Sequence, residues 1–329
     1  MAAALAALGR AKDRTPIAAV ADLAAHRARD AASRPRPTLD ELRDGGRFEV
    51  MERRVPGPSG APEVTLVSAR PAGAGGALPL LYYLHGGAMV MGNAWSVLPT
   101  VLREWVEPLG VAVLSVEYRL APEAPYPAQV EDAYAGLEWA VAHAGEWGID
   151  PGRLVIGGKS AGGGLAAALA LLVRDRGSLP GALGQMLLSP MLDDRTVTTP
   201  TDPANSARAM SGVDVWDLVS HGTVWRAYLG ERFGAAELPL YAAPGRAGPG
   251  DLAGLPEAYV EVGSAEMFRD EGVAYANALW RAGGQAELHV WAGACHGFDG
   301  IARTAEVTRA ARRTRTAWLR RILARAAEG

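Results

Sequence analysis

The chain of 329 residues contains one cysteine, Cys295, so no internal disulfide can staple it, and such sparse thiol use fits a reducing, cytoplasmic compartment. Excess positive charge is also missing. The formal net charge is −3, the pI is near 6.1, and the arginines are scattered or carried on the last helical stretch, which leaves no basic field for nucleic acid. No apolar run is long enough for a bilayer. The longest uncharged helical stretch, 160–173, is bracketed by Lys159 and Arg174 and falls short of the roughly 20 residues that a spanning helix needs, so stable membrane insertion is not expected. A basic leader region is lacking as well: the apolar residues 1–8 run at once into Arg10, Lys12, Asp13 and Arg14, which reads as an amphipathic helix rather than a signal peptide. Internal repeats and low-complexity tracts are absent, although Gly and Pro cluster at 71–76 and 244–254.

What is present is apolar patterning. With 49% hydrophobic residues the chain can bury one large core or two modest ones. Residues 2–32 are Ala-rich and helix-prone; Pro35 and Pro37 break that helix before Thr38-Leu39-Asp40-Glu41, whose Thr and Glu have capping-box spacing. Alternating or apolar runs predict strands over 48–55, 63–69, 78–84 and 111–118, with a helix over 96–109. Strands at 153–156, 184–188, 258–262 and 286–291 then alternate with helices at 128–144, 161–174, 268–282 and 301–327. This is the βαβ series of a mostly parallel α/β sheet flanked by helices. The alternation stops between Asp193 and Pro256, where a polar loop and the aromatic residues Trp216, Trp225 and Tyr228 stand instead. Such an insertion is either a surface elaboration packed on itself or a lid over a pocket. The expected organisation is N-terminal cap helices over 1–45, a core formed by 46–194 and 257–329, and a cap insertion over 195–256.

Gly158-Lys159-Ser160-Ala161-Gly162 lies between the apolar run Leu154-Val155-Ile156 and a helical stretch. A Gly-x-Ser-x-Gly turn between strand and helix lifts a serine oxygen clear of the sheet at a helix N-terminus, the setting of a nucleophile. Small-residue turns are common, so this pentapeptide needs company to mean chemistry. It is not a phosphate-binding loop, because the first glycine of that motif would fall at Arg153. Nor is it a dinucleotide fingerprint: Gly162, Gly164 and Ala167 fit Gly-x-Gly-x-x-Ala, but inside the predicted helix rather than at its junction with the strand. No cofactor is expected.

The company is present. His85-Gly86-Gly87-Ala88 follows the strand at 78–84, and the N–H groups of Gly86 and Gly87 with that of Ala161 would make an oxyanion hole, typically worth about 3–4 kcal/mol per donor. Of six histidines, His296 alone lies just past the last predicted strand, where a loop can bring it over Ser160 as general base. His289 sits within that strand, His26 and His143 on helices, His221 in the insertion and His85 at the glycine turn. The loop after 258–262 supplies acids. Glu266 comes first; Asp270 and Glu271 suit the first turn of the next helix, where negative charge favours the dipole, and Asp270 is the alternative third member. The order Ser, acid, His is that of α/β hydrolases.

With these motifs, together with Glu117-Tyr118-Arg119-Leu120-Ala121-Pro122-Glu123, Ser189-Pro190, Arg269-Asp270-Glu271-Gly272 and His296-Gly297-Phe298, the chain from about Leu78 to the last helix resembles the hormone-sensitive-lipase-like, or bacterial family IV, α/β-hydrolase esterases. The resemblance implies a carboxylic-ester hydrolase with a two-part helical cap, no metal, and a preference for short or medium acyl chains. Three departures stand out. Lys159 replaces the family's usual Asp before the nucleophile, Glu266 replaces the more frequent Asp, and Ala88 replaces a frequent third glycine, a change that a residue without β-branching should tolerate. Met89, Met91, Met210 and Trp216 suggest an apolar pocket for a small-molecule ester, although such residues as often form lid core. Two other uses of the same scaffold stay open: acyl transfer or lyase chemistry on a specialised metabolite, and non-hydrolytic binding of a small molecule. The long last helix offers a face for pairing with a second copy.

Overall fold

The computed structural model of the protein describes residues 16–33, 35–198, 205–212 and 214–325; the start of the expected first helix, the polar loop at 199–204 and the last four residues lie outside these. In chain order the strands are β1 (Phe48–Val55), β2 (Val64–Pro71), β3 (Leu78–Leu84), β4 (Ala112–Glu117), β5 (Ile149–Lys159), β6 (Gly184–Leu188), β7 (Glu257–Gly263) and β8 (Ala286–Trp291). The helices are α1 (Leu23–Ser33), α2 (Leu39–Arg43), α3 (Leu98–Val101), α4 (Glu107–Leu109), α5 (Ala128–Ala142), α6 (Ala144–Trp147), α7 (Ala161–Arg176), α8 (Arg195–Thr198), α9 (Ser206–Ala209), α10 (Leu218–Leu229), α11 (Arg269–Arg281), α12 (Phe298–Ile301) and α13 (Glu306–Arg325). A π-helical turn, Leu102–Val106, joins α3 to α4.

The strands form one sheet in the order β1-β2-β4-β3-β5-β6-β7-β8. β1, β2 and β4 pair antiparallel, and every pairing from β4 through β3 to β8 is parallel. Because side chains alternate across a strand, each apolar run feeds both faces. Leu80, Tyr82 and Leu84 of β3 join Leu154 and Ile156 of β5 under α5 and α7. Leu81, Tyr83 and Val155 point the other way, toward Leu42, Trp105 and Trp318. Buried on both faces, these strands read as continuous apolar runs, as parallel strands do. α7 has thirteen buried residues, Ala161 to Val173, which is why its sequence shows no polar stripe.

Most expected elements occur within a residue or two, and the capping box is formed: Glu41 N–H donates to Thr38 Oγ1 (3.2 Å) and Thr38 N–H to Glu41 Oε2 (2.7 Å). Four differ for physical reasons. The first helix, expected over 2–32, is not helical at 16–19 and becomes α-helical only from Leu23, Ile17 N–H being given to Ser220 Oγ instead of to a helix carbonyl. β5 begins at Ile149, four residues early, because Ile149 and Asp150 pair with Leu78 and Pro79 before Pro151, Gly152 and Arg153 loop out at the register shift, pairing resuming at Leu154. The expected last helix is interrupted between α12 and α13. The helix expected over 128–144 divides at His143 into α5 and α6.

The insertion between β6 and β7 is anchored at both ends by one ion pair. Arg246 Nε and Nη2 meet Asp194 Oδ1 and Oδ2 at 2.7 and 2.8 Å, and Asp194 is fully buried. Val224, Trp225 and Tyr228 of α10 pack into the same cluster as α7. The N-terminal segment reaches the insertion, where Ile17 N–H donates to Ser220 Oγ (2.9 Å). It also reaches the loop after β3: Arg27 Nε donates to the Val90 carbonyl (2.5 Å) while its Nη1 and Nη2 meet Glu123 at 2.8 Å.

At the end of β4, Glu117 accepts the Ala94 N–H (2.6 Å), and burial pushes its carboxyl up to about 7 despite that bond and nearby Arg36. A raised folded-state value means that its contribution to stability is complete below about pH 4.5 and is lost as pH rises through about 7. Glu117→Gln, which keeps an acceptor oxygen, should therefore gain stability relative to the parent between about pH 5 and about pH 8 in urea unfolding; a difference that stays constant with pH would contradict burial as the cause.

Candidate active site

β5 ends in a turn at which Ser160 has φ 58° and ψ −125°, a region that L-residues enter at a cost of order 1–3 kcal/mol. The surroundings impose it. Ser160 N–H donates to the Leu188 carbonyl (2.8 Å), and the Ser160 carbonyl accepts from Gly163 (2.9 Å), Gly164 (3.1 Å) and Met191 (3.0 Å). The flanking glycines are steric necessities: a Cβ on Gly158 would lie 2.2 Å from the Gly162 carbonyl oxygen, and one on Gly162 would lie 2.2 Å from that of Leu84. The same closeness sets the end of β3, and hence the glycine loop, against the serine turn.

That loop carries Gly86 and Gly87. The Gly87 carbonyl accepts from Val90 (3.0 Å) and Met91 (2.9 Å), and Met89 O accepts from Ala121 (2.9 Å). His85 is buried and stacked on Tyr118, 4.0 Å between ring centres, and burial lowers its pKa to about 4. As a neutral ring it places Nδ1 2.8 Å from the Gly86 carbonyl, and Tyr118 Oη donates to the His85 carbonyl (2.7 Å). Ala88 and Met89 both have positive φ, 55° and 63°, a conformation in which glycine would avoid about 1 kcal/mol of strain per residue.

Ser160 Oγ lies 3.0 Å from His296 Nε2, on the loop after β8. On the far side of the ring, Nδ1 is 3.8 Å from Glu266 Oε2, and both His296 Nδ1 and Glu266 Oε1 are buried without a hydrogen-bond partner among the described residues. Catalytic hydrogen bonds are often long in a ligand-free site. Glu266 is fully buried and accepts from Ser189 Oγ at 3.0 Å, a contact that gives the Ser189-Pro190 motif a role visible only in three dimensions. Asp270 faces elsewhere. Its Oδ2 accepts from Ser206 N–H (2.7 Å) and its Oδ1 from Arg269 (2.7 Å). Glu271 is buried and accepts the Leu192 N–H (2.8 Å). Of the three acids in this segment, Glu266 is the one the fold brings to His296.

The remaining expected residues are placed as follows. Met89 is buried in the main core cluster. Met91 and Trp216 are half-buried and pack against it, and Met210 is half-buried just past α9. Trp216 Nε1 and Trp225 Nε1 lie 3.3 and 3.1 Å from the two ring nitrogens of His221, a buried histidine whose pKa burial lowers to about 3. Cys295 is buried and its thiol is pushed up to about 11, chiefly by burial.

Lys159 has a partner that no local pattern announces. Its Nζ pairs with Asp299 Oδ1, while Asp299 Oδ2 accepts from Arg315 Nη1 (2.8 Å) and Arg315 Nε donates to Glu261 Oε1 (2.9 Å). Glu261 Oε2 also accepts from Tyr259 Oη (3.0 Å) and Trp291 Nε1 (3.2 Å). Burial would raise the Asp299 carboxyl, but Lys159 and Arg315 outweigh it and hold it far below the usual range. The residue before Ser160 is thus tied to the residue three beyond His296. Asp299→Asn leaves two cations facing a neutral amide and should cost about 3–5 kcal/mol in urea unfolding. Lys159→Met should cost clearly less, since Asp299 keeps Arg315; equal losses would contradict this arrangement.

A family model described as alpha/beta hydrolase fold matches residues 81–300. Esterase LipI of Mycobacterium tuberculosis is 35% identical over 224 residues, which cover 68% of this chain and 67% of LipI. Carboxylesterase NlhH of the same species is 33% identical over 268 residues, covering 82% of this chain and 79% of NlhH. Among solved structures, a bacterial heroin esterase superposes with a TM-score of 0.81 at 37% identity, covering 94% of both chains. Among the described residues, no helix is long and apolar enough to cross a membrane.

Proposed function

This chain belongs to the alpha/beta hydrolase family and is a serine ester hydrolase, and we propose that it cleaves short-to-medium acyl esters through Ser160, His296 and Glu266. The observation that carries this reading is the 3.0 Å approach of Ser160 Oγ to His296 Nε2, with Glu266 buried behind the ring. In the proposed cycle Ser160 attacks the ester carbonyl while His296 takes its proton, and Glu266 stabilises the imidazolium. The N–H groups of Gly86, Gly87 and Ala161 receive the oxyanion. His296 then returns the proton to the departing alcohol, and water, activated by the same imidazole, releases the acid from the acyl-enzyme.

The N-terminal segment and the insertion form the cap in this reading, and Met89, Met91, Met210 and Trp216 contribute apolar wall to the acyl site. The bonds from Ile17 to Ser220 and from Arg27 to Val90 support a cap built from both segments over the oxyanion loop. Sparse cysteine supports a cytoplasmic setting.

Hydrolysis of p-nitrophenyl esters from acetate to palmitate is the direct test, with turnover expected to peak at short chains. Ser160→Ala should lower kcat by on the order of 10⁶; retention of more than about a tenth of the activity would exclude Ser160 as the nucleophile. Glu266→Gln should cripple turnover in a folded protein, whereas Asp270→Asn should chiefly lower stability through the lost charge that faces Arg269 and the Ser206 N–H. The reverse pattern would transfer the role to Asp270.

A further inference from the structure

We propose that Asp214, in the insertion, is a positioning residue that ties the cap to both catalytic loops and holds a second negative charge beside His296. The inference rests on the Ser160, His296 and Glu266 reading above and adds a residue to which no sequence motif pointed. Asp214 Oδ1 accepts the backbone N–H of His296 (3.0 Å) and of Val215 (2.7 Å). Its Oδ2 accepts the N–H of Met267 (3.1 Å), the residue after Glu266. One carboxylate from a third segment therefore bridges the loop after β7 to the loop after β8, at the two points where the acid and the base are mounted.

A second contact docks the same part of the insertion. Ser206 N–H donates to Asp270 Oδ2 (2.7 Å), Asp270 N–H donates to Ser206 Oγ (3.1 Å), and Ser206 Oγ donates to the Met267 carbonyl (2.8 Å). The insertion thus grips the 266–270 stretch from both sides of Met267. The Asp214 N–H in turn donates to the Met210 carbonyl (2.9 Å), so the carboxylate is held by its own segment's turn.

Two consequences follow from this geometry. Bonds from backbone N–H to an ionised carboxylate are among the stronger hydrogen bonds, so docking of the insertion fixes the spacing between His296 and Glu266, which a 3.8 Å gap leaves sensitive to small movements. Lifting of the insertion would withdraw Asp214 from both loops at once, which couples cap closure to alignment of the base and its acid. The second consequence is electrostatic. The charged and titratable groups that face His296 are Glu266 from the loop after β7, Asp214 from the insertion, and His221 from α10, which burial keeps neutral. Phe268 contributes only an aromatic edge, 4.7 Å between ring centres, and Lys159, adjacent to Ser160, is paired with Asp299. Burial raises the Asp214 carboxyl and His296 is the main influence that lowers it. Asp214 bonds to backbone rather than to the ring and moves no proton itself.

The test is the pH dependence of kcat and KM for p-nitrophenyl acetate in the parent, Asp214→Asn, Asp214→Ala and Ser160→Ala proteins, each checked for folding by urea denaturation. Asp214→Asn removes a negative charge beside the base, so the acid limb of kcat/KM should move to lower pH by about half a unit or more. In the same variant kcat should fall about 10-fold, and in Asp214→Ala about 100-fold, with KM within about twofold of the parent. Asp214→Asn keeps the side-chain shape and carries the test by itself if Asp214→Ala does not fold. An acid limb that stays in place in folded Asp214→Asn, or a loss confined to KM, overturns the proposal while leaving the nucleophile assignment intact. Substantial activity in Ser160→Ala would instead overturn the triad reading on which it rests.

Discussion

The turn at Ser160 holds a non-glycine residue at φ 58° and ψ −125°, and much of the molecule is arranged so that this conformation is the only one available. Four backbone hydrogen bonds join Ser160 to β6, to the start of α7 and to Met191. The Gly158 and Gly162 backbones approach carbonyl oxygens so closely that a methyl group would collide at either position. Since strain of this size persists only where the surroundings over-determine it, the parallel sheet and the all-round buried α7 act as the clamp. They set the direction of the serine oxygen, and the loops after β3, β7 and β8 converge on it from neighbouring positions at the carboxyl edge of the sheet, where α/β folds place their sites.

Charge pairs and hydrogen bonds from buried side chains link those loops where hydrophobic packing alone would leave them independent. Lys159, Asp299, Arg315 and Glu261 run from the serine turn through the histidine loop to α13 and back to β7. Asp214 and Ser206 join the insertion to the acid loop and the histidine loop, and Arg27 joins the N-terminal segment to the loop after the glycines. A buried charge without a partner is strongly unfavourable, so each member of these chains constrains where its neighbours can sit. The site is therefore assembled from elements far apart in sequence that depend on one another electrostatically.

Where local pattern and fold agree, the reason is that one physical rule acts at both scales. The continuous apolar runs of β3 and of β5 to β7 are the imprint of burial on two faces. The Thr38 to Glu41 cap is a contact spanning three residues, and the Gly-x-Ser-x-Gly turn encodes its own steric requirement. Agreement fails where a partner lies far along the chain. Asp150-Pro151-Gly152 has turn composition and does loop out at 151–153, yet the strand begins before it, because Ile149 and Asp150 find partners on β3. The break between α12 and α13 falls where Asp299 turns inward to its cations and Thr308 Oγ1 bonds the Ala302 carbonyl.

The sequence by itself determined the α/β order of elements, the serine turn, the glycine loop and the position of His296 past the last strand, because each follows from local sterics, periodicity or chain order. Only the tertiary structure decided which acid faces His296, what Lys159 pairs with, and that Asp214 meets the loops of both Glu266 and His296. Those contacts join residues separated by 30, 140 and 82 positions, and a carboxylate carries no mark in the sequence of the distant N–H or cation that will hold it.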